Sequence, residues 1–249
     1  MHGAIVHFPK PSPRRACLRG ILIGAAILAM NQPLGPAAEP QARPLFDGTS
    51  LDGWQVRPGE ERWWRVADGA ILGGSPTEQV PHNTFVCSRE SFQNFELRLK
   101  IRIRGQEGFV NSGIQIRSVR VPGNHEMIGY QVDAGDGWWG KLYDESRRKK
   151  VIAEPVDGRA VAGVRRNDWN DYRIRAEGPR IRTWINDTPA LDYTEQDRQI
   201  PRDGRIGLQV HGGGTLTVEF KDISIIPLET DEGAPVWGAA LEEPPQRAR

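Results

Sequence analysis

The sequence predicts an all-β fold, a β-sandwich of two antiparallel sheets. Three observations carry that expectation. Residues 95–104 alternate strictly, with Leu97, Leu99, Ile101 and Ile103 on one face and Arg98, Lys100, Arg102 and Arg104 on the other. A period of two is the mark of a half-buried strand. Between residues 45 and 228, about a dozen short β-prone runs are separated by Gly, Asp, Asn and Pro turns. The same stretch holds no convincing amphipathic helix, so the strands can bury their apolar faces only against one another.

From the N-terminus, Arg14, Arg15 and Arg19 flank and precede an apolar run from Ile21 to Met30, and the small residues Gly35, Ala37 and Ala38 follow. This is the layout of an export signal over residues 1–38, too short for a stop-transfer helix. Pro13-Arg14-Arg15-Ala16-Cys17-Leu18-Arg19 resembles a twin-arginine signal. The alternative is an uncleaved N-terminal anchor. Cleavage near Ala38 leaves residues 39–44 as a linker and a chain that is periplasmic or extracellular, with no stable membrane span.

Strands are then expected at residues 63–66, 70–72, 84–87, 95–104, 113–119, 130–133, 140–143, 172–176, 181–186, 205–210 and 215–226. Turn signals stand at Asp68-Gly69, Asp157-Gly158, Asn186-Asp187 and Asp203-Gly204. Residues 229–249 have little apolar periodicity and read as a disordered tail.

Composition narrows the function. Net charge is +1 and the basic residues are not gathered in one block, which argues against a nucleic-acid partner. Beyond the signal, Cys87 is the single cysteine, so neither a disulfide nor a cysteine metal site can form within the chain. The eight tryptophans suit binding to the C–H faces of sugars.

Residues two apart on a strand share a face. Four polar pairs follow: Gln115 with Arg117, Gln131 with Asp133, Lys141 with Tyr143, and Gln209 with His211, each around an apolar residue. One sheet face would then present amides, cations, a carboxylate and an imidazole together, a surface suited to a saccharide. An ordinary solvated face is the alternative.

The domain opens with Leu45-Phe46-Asp47-Gly48-Thr49-Ser50-Leu51-Asp52-Gly53-Trp54 and continues with Trp64-Arg65-Val66-Ala67-Asp68-Gly69-Ala70-Ile71. Later come Asn94-Phe95-Glu96-Leu97, the run from Asn111 to Arg117, the run from Gly204 to Gly212, and Val218-Glu219-Phe220-Lys221-Asp222-Ile223. This ordered set, covering residues 45–228, resembles the secreted 3-keto-disaccharide hydrolase domain family. The resemblance implies a concanavalin-like jelly roll, bacterial secretion, and action on sugars already oxidised at C3. Many members carry a Glu where this chain has Gln131, in Gly129-Tyr130-Gln131-Val132-Asp133. A Gln cannot be a general base, so Asp133 is the carboxylate available on that strand.

A ketone at C3 acidifies the C2 hydrogen; a base removes it, the C1 substituent leaves, and water adds. Such a site needs a base, a stabiliser for the enolate and an acid. Asp133 or His211 is the candidate base; Arg117 or a divalent metal the enolate stabiliser; Tyr143 or Glu145 the acid. The candidate substrate-binding residues are Gln115, Gln131, Gln209, Lys141, Trp138, Trp139, Asn111 and His125. As consecutive residues of a strand, Trp138 and Trp139 would face opposite ways, one packing and one free to stack on a sugar. Direct glycosidase chemistry by Asp133 with Glu145 is a rival mechanism, and a non-catalytic, lectin-like module is the rival class. No tight His-x-His or His-Glu-x-x-His spacing supports zinc, and Arg147-Arg148-Lys149-Lys150 reads as a solvated loop.

Overall fold

The structure, a computed structural model, describes residues 41–238. The expected signal and the end of the expected tail lie outside the described residues. The first strands are β1 (Arg43–Pro44), β2 (Trp54–Val56), β3 (Trp64–Ala67), β4 (Ala70–Gly74) and β5 (Thr84–Ser91). The middle of the chain forms β6 (Phe95–Gly108), β7 (Asn111–Arg120), β8 (Met127–Gly135), β9 (Leu142–Glu145) and β10 (Lys150–Ala153). The last are β11 (Asn170–Glu177), β12 (Arg180–Ile185), β13 (Thr188–Thr194), β14 (Arg205–Val210) and β15 (Gly214–Pro227).

They make two sheets. One runs β13-β12-β11-β6-β15-β4-β3, with β1 added beside β15; the other runs β10-β9-β8-β7-β14-β5-β2. Every pairing is antiparallel. The two-sheet sandwich expected from the sequence is therefore the fold observed. Leu97, Leu99, Ile101 and Ile103 of β6 join Ile114, Ile116, Val132, Leu142, Leu208 and Val210 of the second sheet in one apolar core. The opposite face of β6 is held by ions: Glu219 of β15 receives Arg102 (2.5 Å) and Arg104 (3.0 Å).

β7 differs, because all ten of its residues are buried. That strand is covered on both faces, and on its outer side the cover hides the candidate site.

Several expectations need correction. Trp63 belongs to a 3-10 turn (Glu61–Trp63) rather than to a strand, and one short α-helix occurs, α1 (Arg159–Ala162). β1, β2, β10 and β13 were not anticipated. All four lie at sheet edges, where a strand tolerates a proline such as Pro44 or Pro189. Residues 229–238 are not a free tail. Trp237 bonds to Asp203 Oδ1 through its backbone N–H (3.0 Å) and to the Arg117 carbonyl through its indole (3.1 Å). Asp231 N–H is bound by Gln93 (2.6 Å), and Ala234 is buried. No helix among the described residues is long and apolar enough to cross a membrane.

Candidate active site

Register assembles the site on the outer face of the second sheet. Gln131 of β8 stands between Gln115 of β7 and Tyr143 of β9; Asp133 stands opposite Gly113, and Gly129 opposite Glu145. From beyond β14, His211 N–H reaches the Asn111 carbonyl (3.2 Å). A pocket of about 250 Å³ results, lined by Asn83, Phe109, Asn111, Gln131, Asp133, Trp138, Tyr143, Glu145 and His211. Gly113 makes room for it: a Cβ there would lie 2.5 Å from Cγ and Cδ of Gln131.

Asp133 is the most buried acid of the pocket, 2% exposed. Its Oδ1 accepts from Gln131 Nε2 (2.7 Å), while Oδ2 has no hydrogen-bond partner among the described residues. Burial pushes its pKa to about 8, against the pull of the Gln131 hydrogen bond and with the help of the Glu145 charge. Glu145 rises to about 7, through burial and then the charge of Glu126. Burial and the Glu145 charge also raise the Tyr143 phenol. His211 moves the other way: burial lowers it, although its bond to Gly212 opposes this. His211 Nδ1 lies 2.6 Å from the Gly212 carbonyl, which can only accept, so Nδ1 carries the proton and Nε2 is left as an acceptor. At neutral pH the pocket thus pairs a protonated carboxyl with a neutral imidazole.

Aromatic rings form the rim. Phe109 packs edge-on against His211 at 4.4 Å and against Trp138 at 6.1 Å, and Trp138 continues to Tyr143 at 6.3 Å. This arc offers apolar faces beside a polar floor, the combination a sugar ring presents in complement.

A family model for the 3-keto-alpha-glucoside-1,2-lyase-like domain matches residues 41–226, three quarters of the sequence. The chain belongs to that family. No curated protein matches this chain. Among solved structures it is similar to a Parabacteroides distasonis protein provisionally described as a glycosyl hydrolase, with 19% identity and TM-score 0.57, over 76% of this chain and 94% of that one. It is also similar to the carbohydrate-binding module CBM66 from Bacillus subtilis, with 21% identity and TM-score 0.53, over 70% and 95%. A Bacillus subtilis protein with a galectin-like fold gives 11% identity and TM-score 0.55, over 75% and 94%. These likenesses establish the jelly-roll fold, which serves catalysis and binding alike.

Within this family fold, the expected residues divide. Asn111, Gln131, Asp133, Trp138, Tyr143, Glu145 and His211 meet in the pocket. Gln115 and Gln209 are fully buried and do not line it. Both side-chain polar atoms of Gln209 lack partners among the described residues. Arg117 is displaced: the β7–β8 register breaks between Ile116 and Val119, and Arg117 takes φ 50°. Alternation fails across such a bulge. Its guanidinium binds the carbonyls of Gln93 (2.7 Å) and Gly178 (2.7 Å) and Oδ1 of Asn94 (2.9 Å), and it does not line the pocket.

Lys141 lies outside β9, directly after the turn that ends at Gly140, φ 77°; its ammonium sits 3.3 Å from Glu154, in a neighbouring cleft. Trp138 and Trp139 lie in that turn, both N–H groups donating to the Gly135 carbonyl, and not in a strand. Trp139 packs inward beside Tyr172, at 6.3 Å, while Trp138 faces the pocket. His125 stacks on His82 (4.4 Å) and approaches Glu126 (3.2 Å), outside the pocket lining. The basic run is only partly solvated, since Arg147 and Arg148 both bind buried Asp144 and Arg148 also binds Glu195 (2.5 Å). Asn83 and Phe109 were not foreseen; both sit on loops that carry no periodicity. Among the described residues, no group of three His, Cys, Asp or Glu side chains is arranged to hold a metal.

Proposed function

We propose that this protein is an exported enzyme that cleaves 3-keto-glycosides by β-elimination and hydration. The observation that carries the reading is one pocket lined by both a buried carboxyl whose Oδ2 has no partner among the described residues and an imidazole whose Nε2 is left as an acceptor. Burial favours the protonated carboxyl and the neutral imidazole. His211 Nε2 takes the C2 proton. The electron pair passes toward the C3 oxygen, where the Asp133 O–H hydrogen-bonds the developing enolate. As C1=C2 forms, the C1–O bond breaks, and the leaving oxygen is protonated by Glu145 or Tyr143. Water then adds its hydroxyl to C1 and its proton to C2, which completes a net hydrolysis. With Asp133 near 8 and Glu145 near 7, the one carboxylate that direct displacement needs is scarce below neutral pH, so displacement by that pair is the weaker mechanism.

Family membership supports a sugar substrate, and the pocket size suits one sugar ring rather than a long chain. A lectin-like role is the second reading, favoured by the Gln131 and Asn111 amides and the aromatic arc, which would suffice for recognition. Export rests on the arginine-led apolar run before Ala38.

The test is incubation of the protein with 3-keto-trehalose and a chromogenic 3-keto-glucoside, with and without chelator. Aglycone release is expected, falling about 10²- to 10⁴-fold in His211→Ala and Asp133→Asn while binding persists. Glycan binding without release would establish the module instead, and loss of release with chelator would add a divalent cation to the site.

A further inference from the structure

Behind Asp133 runs a chain of buried hydrogen bonds. Ser118 Oγ lies 2.8 Å from both Gln115 Oε1 and the Ile116 carbonyl; Gln115 Nε2 donates to Gln131 Oε1 at 2.8 Å; Gln131 Nε2 donates to Asp133 Oδ1 at 2.7 Å. All four side chains are at most 3% exposed. In a regular strand Ser118 and Gln115, three residues apart, would face opposite sides. The bulge between Ile116 and Val119 brings Ser118 back beneath Gln115, and Gly129 opposite leaves the space: a Cβ there would meet Ser118 Oγ at 2.2 Å.

We propose that Gln131, itself set by Gln115 and Ser118, is a positioning residue that holds the Asp133 proton on Oδ2, the oxygen without a partner. An amide N–H pointed at Oδ1 favours the carbonyl form of that oxygen, the better acceptor, so the acid's O–H is directed away from the relay. The reverse polarity would put Gln131 Oε1 against Asp133 and draw the proton to Oδ1, where no ligand could receive it. The inference rests on the reading of Asp133 as a proton donor and gives that donor its direction. The other groups around Asp133 are Glu145 and Tyr143 of β9, Lys141 before it, and Tyr172 of β11, whose hydroxyl donates to the Asp133 carbonyl (3.0 Å). None of these fixes which carboxyl oxygen is protonated.

The sign of one titration decides the matter. The Asp133 carboxyl would be followed by carbon NMR in the sugar-free protein labelled at aspartate Cγ, with Asp133→Asn to assign the signal. Donation from Gln131 favours the carboxylate, so Gln131→Leu is expected to raise the midpoint by about half a unit to one unit. Gln115→Leu should raise it less, and decides alone should Gln131→Leu not fold. A fall in either variant would mean that Gln131 accepts rather than donates, and no movement would mean that the relay does not act; both overturn the proposal. Turnover plays no part in this measurement, so failure of the relay is seen separately from failure of the proposed reaction.

Discussion

Asp133 gains its proton from burial, and that ties its chemistry to stability. Its pKa rises from an ordinary 3.8 to about 8 in the fold. The unfolded chain therefore releases the proton first. The stabilisation is complete below the unfolded value and is lost as pH climbs through the folded one. Glu145, raised to about 7, acts in the same direction. Asp133→Asn keeps the Gln131 contact without the ionisable proton. Its unfolding free energy should match wild type near pH 4 and exceed it increasingly toward pH 9, by on the order of a few kcal/mol. A gap that stays constant across that range would show that burial does not hold the proton. Trp138 makes the opposite kind of contribution: it is half-buried on a turn, so Trp138→Ala should leave melting nearly unchanged. The same change should weaken sugar binding roughly tenfold by calorimetry, about 1.4 kcal/mol.

At the scale of elements, legibility followed burial. β6 could be read because one face is buried and the other carries charge, whereas β7, expected as a strand over residues 113–119, is buried throughout, which its alternating polar residues did not announce. The same-face rule placed Gln131 with Asp133, where β8 is regular. It failed for Gln115 with Arg117, where a bulge intervenes, and for Lys141 with Tyr143, because β9 begins only at Leu142 and Lys141 falls outside it. Bulges are set by pairing with a neighbouring strand, which a single strand's sequence does not display. Asn83 and Phe109 reach the pocket from loops, and loops have no period to read. Arg117 then yields a clean prediction. Arg117→Met removes three hydrogen bonds that tie β7 to Gln93, Asn94 and Gly178. Stability should fall by roughly 2–4 kcal/mol in urea titration, while kcat and KM for a 3-keto-glucoside stay within about twofold. A large kcat loss in a folded variant would return Arg117 to the chemistry.

For the whole molecule, the last described segment matters more than its composition suggests. Residues 229–238 close over Gln93, Asp203 and the Arg117 carbonyl. Ending the chain at Leu228 would uncover these groups and should lower the melting temperature by several degrees, with the pocket still able to bind. Unchanged melting would make the segment an ornament.

The pocket draws on Asn83, on β7, β8 and β9, and on His211, so its lining is scattered over more than half of the described chain. No local fragment can hold such a site; it comes into being only with the complete second sheet. A ligand that recognises it therefore recognises foldedness itself, and at a hundredfold excess over Kd it would add about 2.7 kcal/mol to the native state. Heat alone can thus rank candidate ligands: at equal concentration, the compound that most delays melting is the one the pocket holds most tightly, even in Asp133→Asn or His211→Ala.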